Sequence, residues 1–483
     1  MIPLSPETAR VKVDARPLGI VVLSRSARIF AFIAIALLFW AIVSWPTPKG
    51  LTPIGQRALA IFVVSLILWV SQLLPLAITS LFAIVALPMM GVMDKAKAYS
   101  LFGNEAVFFI MGAFILAAAM VKSGLSSRVA LFFLKRFGGG ARQLILGLLL
   151  VPAFMAFWMP EHAVAAMLFP ITLEIIHSLE LRPGQSAFAK SVFLAAAYGA
   201  IIGGVATFLG GARNPLAIAI LRQTTGQSIG FLEWMVAVVP TVLILLVVAY
   251  FLILYFFKSE ITDISRASAV LEARIKELGK PTVEERMIGL IMLIAIVCWI
   301  TIGKAVGLAN IAITAVVLMF VFKLVSWKDI EDYVNWGVIL MYGGAIALGF
   351  GVESTNAAGW VAKSTVLSWS LSPLMLITII VTLSIFLTEG ISNAAVVAIL
   401  LPLGITVANS FGIDPKVMTL AVAVPSGMAY MLPMGTPANA IAFSSGFIKV
   451  KDMVKIGFIL NIISIIVFMV VAKVYWPLLG LKF

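Results

Sequence analysis

Residues 373–408 read PLMLITIIVTLSIFLTEGISNAAVVAILLPLGITVA. Pro373 and Pro402 interrupt this apolar run, and Ser392-Asn393 stands in its middle. A chain that turns within lipid leaves N–H and C=O groups unpaired, so such a turn survives only where it lines a cavity or packs in protein. The stretch therefore predicts a re-entrant hairpin of two half-spans with a polar tip. A second run, 143–177, has the same build. Pro152, Pro160 and Pro170 break it, and Pro160-Glu161-His162 forms its middle.

The remainder of the chain puts these hairpins in a membrane. Its 483 residues are 62% hydrophobic and 11% charged, with mean hydropathy +1.13. A soluble domain holds about 45–50% apolar and about 25% charged residues, so a soluble enzyme and a disordered chain are both excluded. The apolar residues run along nearly the whole length, which excludes a single-span receptor. Outer-membrane barrels need alternating segments of about ten residues, whereas these runs are continuous. The fold class is thus an all-α polytopic membrane protein. About eleven spans are expected, near 29–46, 57–74, 76–91, 104–121, 191–210, 232–257, 287–302, 307–325, 337–350, 416–433 and 456–478. Each is roughly long enough for the hydrocarbon core of about 30 Å.

The net charge of +13 invites a nucleic-acid reading, but Lys and Arg gather in short stretches between apolar runs. With the N-terminus inside, 23 of the 34 fall on the inner side, the pattern of the positive-inside bias. A multi-pass protein of the cytoplasmic (inner) membrane is expected, with the lipid bilayer and no nucleic acid as partner. Basic residues at 10, 12, 16, 25 and 28 precede the apolar stretch Ile29 to Trp45 without a small-residue cleavage site. That reads as a retained first span. The single Cys298 allows no intrachain disulfide and no cysteine cluster.

Four parts are expected: a cytoplasmic N-terminus (1–28), a first span and first repeat (29–257, hairpin 143–177), a cytoplasmic linker helix (258–286), and a second repeat (287–483, hairpin 373–408). The repeat rests on landmarks. FFIMGAFILA (108–117) recurs as ILMYGGAIALG (339–349), offset 231. Trp158 to Pro170 lines up with Gly390 to Pro402, offset 232, and Gly210 to Asn214 with Gly435 to Asn439, offset 225. An odd number of crossings separates the pairs, so the repeats are expected to be inverted, a build common among secondary transporters.

Such carriers place their sites where helices break near the midplane. Four breaks are expected: Pro160-Glu161-His162, Gly210 to Asn214, Ser392-Asn393-Ala394, and Gly435 to Asn439. Glycine lets the backbone approach a ligand closely. A broken helix turns an N-terminal end, with bare N–H groups and partial positive charge, toward an anion. Asn214 and Asn439 are expected to brace the breaks, Glu389 to stabilise its hairpin, and His177 to be solvated. Trp45, Trp327, Trp336 and Trp476 are expected in the interface belt. Gly138-Gly139-Gly140 lacks the Lys-Ser/Thr of a phosphate loop and reads as a turn.

FLTEGISNAAVVAILLPL (386–403) and MLPMGTPANAIAFSSGFIK (431–449) resemble the divalent anion/sodium symporter family, which takes up di- and tricarboxylates or sulfate. The resemblance covers essentially the whole chain after the first span. It implies a homodimer, a scaffold and a transport part, an elevator motion, and two Ser-Asn-Thr tips holding substrate and sodium. Carried onto this chain, it places Ser392, Asn393, Thr436 and Pro437 at the substrate, and Thr388, Ile391, Asn393 and Gly435 at a sodium. The second triplet ends in Ala394 instead of Thr. The first half departs further. Its triplet is Pro160-Glu161-His162, the upstream Ser is Ala156, and position 213 is Arg where the family usually has Pro. Glu161 and Gly210 then stand at a degenerate first sodium site, and Glu161, His162, Gly211 and Arg213 at the substrate. Arg213, with His162 when protonated, is expected to neutralise the dianion and Glu161 to pair with one of them, because an unpaired charge at the bilayer centre costs about 2.5 kcal/mol or more.

The function expected is secondary active transport of small divalent anions, most simply di- or tricarboxylates. Sodium-independent exchange, or reduced coupling to Na+ or H+, follows from the altered first site. The alternatives are a sodium- or proton-coupled sulfate symporter and an anion channel. An intramembrane enzyme using Glu161 and His162 lacks a second carboxylate cluster and a nucleophile motif, so no catalytic residue and no other cofactor is expected. Glu161 and His162 as structural groups, and Arg213 snorkelling to an interface, are the plainer readings of those residues.

Overall fold

The computed structural model describes residues 18–331, 334–366 and 371–482. The expected cytoplasmic stretch 1–28 lies outside the described residues up to position 17. Every regular element among the described residues is helical, as lipid demands of a chain that must satisfy its own backbone. In order, the main helices are α1 (Leu18–Ser44), α2 (Pro53–Ser71), α3 (Leu76–Met89), α4 (Glu105–Lys122), α5 (Leu125–Leu134), α6 (Ala141–Met155), α7 (Glu161–Ser178), α8 (Ala187–Gly203), α9 (Arg213–Thr225), α10 (Phe231–Phe256), α11 (Ser265–Glu277), α12 (Val283–Thr301), α13 (Leu308–Val321), α14 (Trp336–Ser354), α15 (Pro373–Thr388), α16 (Asn393–Ser410), α17 (Pro415–Ala423), α18 (Pro437–Ser444) and α19 (Val450–Val474).

Among the described residues, α1, α2, α4 with the short helix before it, α10, α14, α16 and α19 are long and apolar enough to cross a membrane. The apolar helices α3, α6, α8, α13 and α15 are shorter. The helices start where local chemistry supplies a cap. Thr52, Asn104, Ser186, Thr282 and Ser372 each accept a backbone N–H from the first turn, satisfying a donor the helix itself cannot pair. Pro53, Pro373, Pro415 and Pro437 occupy first-turn positions, where the missing N–H costs nothing.

Two expected spans end early. The run 191–210 is helical only to Gly203, and 416–433 only to Ala423, with one 3-10 turn at 425–427. Each continues as irregular backbone up to the next helix, α9 or α18. Hydropathy is unchanged across the break, which is why a window reads straight through it. Trp476 also departs from expectation. It is 1% exposed, and its Nε1 donates to Ala237 O at 3.0 Å, inside the bundle instead of at the interface. Trp45 and Trp327 are exposed.

The expected linker 258–286 holds α11. Ala267 and Leu271 are buried on one face of it, while Arg266 pairs with Glu180 at 2.8 Å and Arg274 with Glu174. The linker thus rests on the C-terminal end of α7. At its close, Arg128 of α5 binds Glu285 at 3.0 Å and donates to the carbonyls of Leu278 and Gly279 at 2.9 Å. Inside the bundle, α8 lies flush on α6. A Cβ on Gly203 would sit 2.2 Å from Ala153 O, the small-residue contact that close helix packing in membranes requires.

Candidate functional site

Four helices begin at the middle of the fold: α7 at Glu161, α9 at Arg213, α16 at Asn393 and α18 at Pro437. The first and third follow the hairpin tips; the second and fourth follow the irregular stretches 204–212 and 424–436. Each brings the positive end of its dipole.

The two irregular stretches share one hydrogen-bond pattern. Asn214 Nδ2 donates to Gly204 O at 3.2 Å and Thr207 O at 2.6 Å. Asn439 Nδ2 donates to Ala429 O at 3.0 Å and Leu432 O at 3.1 Å. All three positions are related by the offset of 225 seen in the sequence. Both asparagines are fully buried and brace carbonyls of the unwound backbone.

Charge enters through Arg213 and Glu161, which are 2% and 4% exposed. Arg213 Nη1 and Nη2 each lie 3.2 Å from Glu161 Oε2. The guanidinium fits between two glycines. A Cβ on Gly211 would sit 2.3 Å from its Nη1, and one on Gly427 would sit 2.3 Å from its Nε. Arg213 therefore does not snorkel. Of the two cationic residues expected to pair with Glu161, Arg213 is the one that does, so Glu161 compensates its charge. Glu161 N donates to Gly210 O at 2.9 Å, tying the first tip to the first break.

The second tip is neutral. Thr388 Oγ1 lies 2.7 Å from Ser426 O and 2.7 Å from the Asn393 side-chain amide. The hydroxyl has one proton and gives it to the carbonyl, so Asn393 presents its Nδ2 to Thr388. In that orientation Nδ2 also donates to Gly435 O at 3.1 Å, and Oδ1 accepts from Arg213 Nη1 at 3.2 Å. One guanidinium thus bridges Glu161 of the first tip and Asn393 of the second. The hydroxyl of Thr388 and the carbonyls of Ser426 and Gly435 gather around Asn393. Neutral oxygens from unwound backbone of this kind suit a monovalent hard cation.

Not every expected substrate residue has a free polar group. Ser392 is half-exposed, and its hydroxyl has no hydrogen bond among the described residues. His162 is half-exposed, stands edge-on to Phe114 with ring centroids 6.3 Å apart, and has no ion-pair partner among the described residues. Thr436 is 2% exposed and accepts from Asn439 N at 3.2 Å, so its hydroxyl caps α18, while Pro437 beside it is exposed. Gly211 lies under the Arg213 guanidinium, and Ala394 and Ile391 are buried. Ser426 and Gly427 escaped the sequence reading. Their only signal was Pro425-Ser426-Gly427, a turn-forming triplet inside an otherwise apolar run.

Residues 24–482 match the family described as "Sodium:sulfate symporter transmembrane region". The chain belongs to the sodium:sulfate symporter family. Membership makes it a multi-pass secondary transporter and not an enzyme. Among the relatives of this symporter chain is the "Sodium-dependent dicarboxylate transporter SdcS" of Staphylococcus saprophyticus. It is 31% identical over 465 residues, which cover 90% of this chain and 89% of that protein. The protein of the same description from Staphylococcus aureus is 30% identical over 470 residues, 92% of this chain and 90% of that one. In fold, the symporter chain resembles the Neisseria gonorrhoeae transporter MtrF with TM-score 0.55, covering 96% of each chain. The Alcanivorax borkumensis YdaH transporter aligns with TM-score 0.50 over 80% of this chain and 90% of that one. At 13% identity each, these two carry the fold alone.

Proposed function

We propose that the protein is a secondary active carrier of small divalent organic anions, di- or tricarboxylates, which bind where the four helix N-termini converge. The half-exposed Ser392 hydroxyl and the bare amides at the start of α16 supply donors to carboxylate oxygens. His162 is the second residue of α7 and is half-exposed. The relatives named as sodium-dependent dicarboxylate transporters support both the substrate class and a sodium requirement.

The observation that carries the reading is the Arg213–Glu161 pair. At the second break the neutral oxygens of Thr388, Ser426 and Gly435 suit one coupling sodium. At the first break a guanidinium already supplies the positive charge, held by Glu161 Oε2 and Asn393 Oδ1. Sodium coupling is therefore reduced to one ion per cycle. The bridge from Glu161 through Arg213 to Asn393 ties the two hairpins together, which supports their moving as one body in an elevator-type motion.

Purified protein in liposomes tests this. Labelled succinate uptake is expected to saturate, to be trans-stimulated by unlabelled dicarboxylate, and to rise with sodium at a Hill slope near one. A slope of two or more overturns the single-sodium reading. Uptake without saturation or trans-stimulation indicates a channel, and competition by sulfate alone indicates an oxyanion symporter.

A further inference from the structure

Glu389 is the second carboxylate buried at the site, and transport as proposed above makes no use of it. It is the C-cap residue of α15, next to Thr388, and is 4% exposed. Glu389 Oε1 accepts from Tyr430 N at 2.8 Å, Met431 N at 2.9 Å and Asn461 Nδ2 at 2.8 Å. Glu389 Oε2 accepts from Leu432 N at 2.9 Å and Met431 N at 3.1 Å. All five contacts are donors, the set that an ionised carboxylate takes. Three successive amides of the irregular stretch thus converge on one side chain reaching over from the hairpin.

The other half holds nothing equivalent. The position offset by 232 is Phe157, which contributes only its carbonyl, accepting from Thr207 Oγ1 at 2.6 Å. At this position a carboxylate stands only beside the neutral oxygen cage. It also lies directly behind that cage, since a Cβ on Gly435 would come within 3.0 Å of Glu389 Oε2. Gly435 is the residue whose carbonyl takes the Asn393 amide on the other side.

We infer that Glu389 is a positioning residue for the coupling cation: it pins 430–432 and backs Gly435, so that the oxygens of Thr388, Ser426 and Gly435 are held in place for a cation. The inference rests on the sodium reading of the second break. Glu389 touches neither cation nor anion, so its loss weakens sodium binding and leaves the anion contacts at Ser392 alone. Its fixed negative charge close behind the carbonyls acts in the same direction.

The test is sodium-driven succinate uptake by the full-length protein in liposomes. Unsubstituted protein, Glu389→Gln and Asn461→Leu are compared. Glu389→Gln keeps one acceptor oxygen and turns an amide donor toward a backbone N–H. Losing charge-assisted bonds of this kind is expected to raise the sodium half-saturation about tenfold. The succinate KM at saturating sodium is expected to stay within twofold. Asn461→Leu removes one partner of Glu389 and should raise the sodium half-saturation less, in the same direction. The inference is overturned if both variants keep the sodium half-saturation of the unsubstituted protein, or if the succinate KM at saturating sodium rises as much. If Glu389→Gln does not fold, Asn461→Leu alone decides on the same two readings. If uptake by unsubstituted protein ignores sodium altogether, the sodium reading falls first and takes the role of Glu389 with it.

Discussion

Arg213 and Glu161, 52 residues apart in sequence, form an ion pair with both guanidinium Nη atoms 3.2 Å from one carboxylate oxygen and almost no exposure on either side chain. Burying two charges is expensive, and the pair recovers that cost only while both members are present.

Removing one member is therefore expected to be worse than removing both. Glu161→Gln and Arg213→Met should each destabilise the protein by about 3–5 kcal/mol, read as a clear drop in melting temperature in detergent. The double variant should recover much of that loss, because no uncompensated charge remains. If each single variant melts with the unsubstituted protein, the pair is not what holds the two tips.

The two asparagine braces should behave as a matched pair. Asn214→Ala leaves the carbonyls of Gly204 and Thr207 without a partner, and Asn439→Ala leaves that of Ala429, since Leu432 O keeps Gly435 N at 3.0 Å, at about 1–3 kcal/mol for each unsatisfied group. A drop in thermal stability is expected at both sites, the larger one for Asn214→Ala. A large effect at one site with none at the other would show that the common bonding pattern has no common mechanical role.

Thr388→Val tests the cation cage itself. The substitution keeps the shape of the side chain but strands Ser426 O and removes one oxygen from the cage. The sodium half-saturation should rise about tenfold, following the same cost of an unpaired buried group, with little change in anion KM at saturating sodium. A higher anion KM with an unchanged sodium curve would move Thr388 from the cation to the substrate.

Ser392→Ala addresses the anion. Its hydroxyl is half-exposed and has no partner among the described residues. Losing one hydrogen bond to a charged ligand, at about 1.5–3 kcal/mol, should raise the succinate KM at least tenfold and leave the thermal stability of the ligand-free protein unchanged. Isothermal titration with succinate and a melting curve separate the two.

Much of this was legible beforehand. Prolines within apolar runs and the polar residues at 160–162 and 392–394 marked both helix breaks, because proline removes a helix hydrogen bond and lipid offers nothing to replace it. Asn214 and Asn439 stood at matched positions and proved to be braces. The ends of the half-helices at Gly203 and Ala423 were hidden, since neighbouring protein, not composition, satisfies the unwound backbone beyond them.

By itself, the sequence determined that the chain is helical, lies in a membrane, breaks its helices at four polar points and carries the signature of a divalent-anion symporter. Each of these follows from local composition and spacing. Only the tertiary structure decided that Arg213 spends its charge on Glu161, that Glu389 holds the backbone of 430–432, and that Trp476 is buried against Ala237. Those pairings join residues up to 239 positions apart. Which groups meet across such distances depends on how whole helices pack, and no local window of sequence contains that.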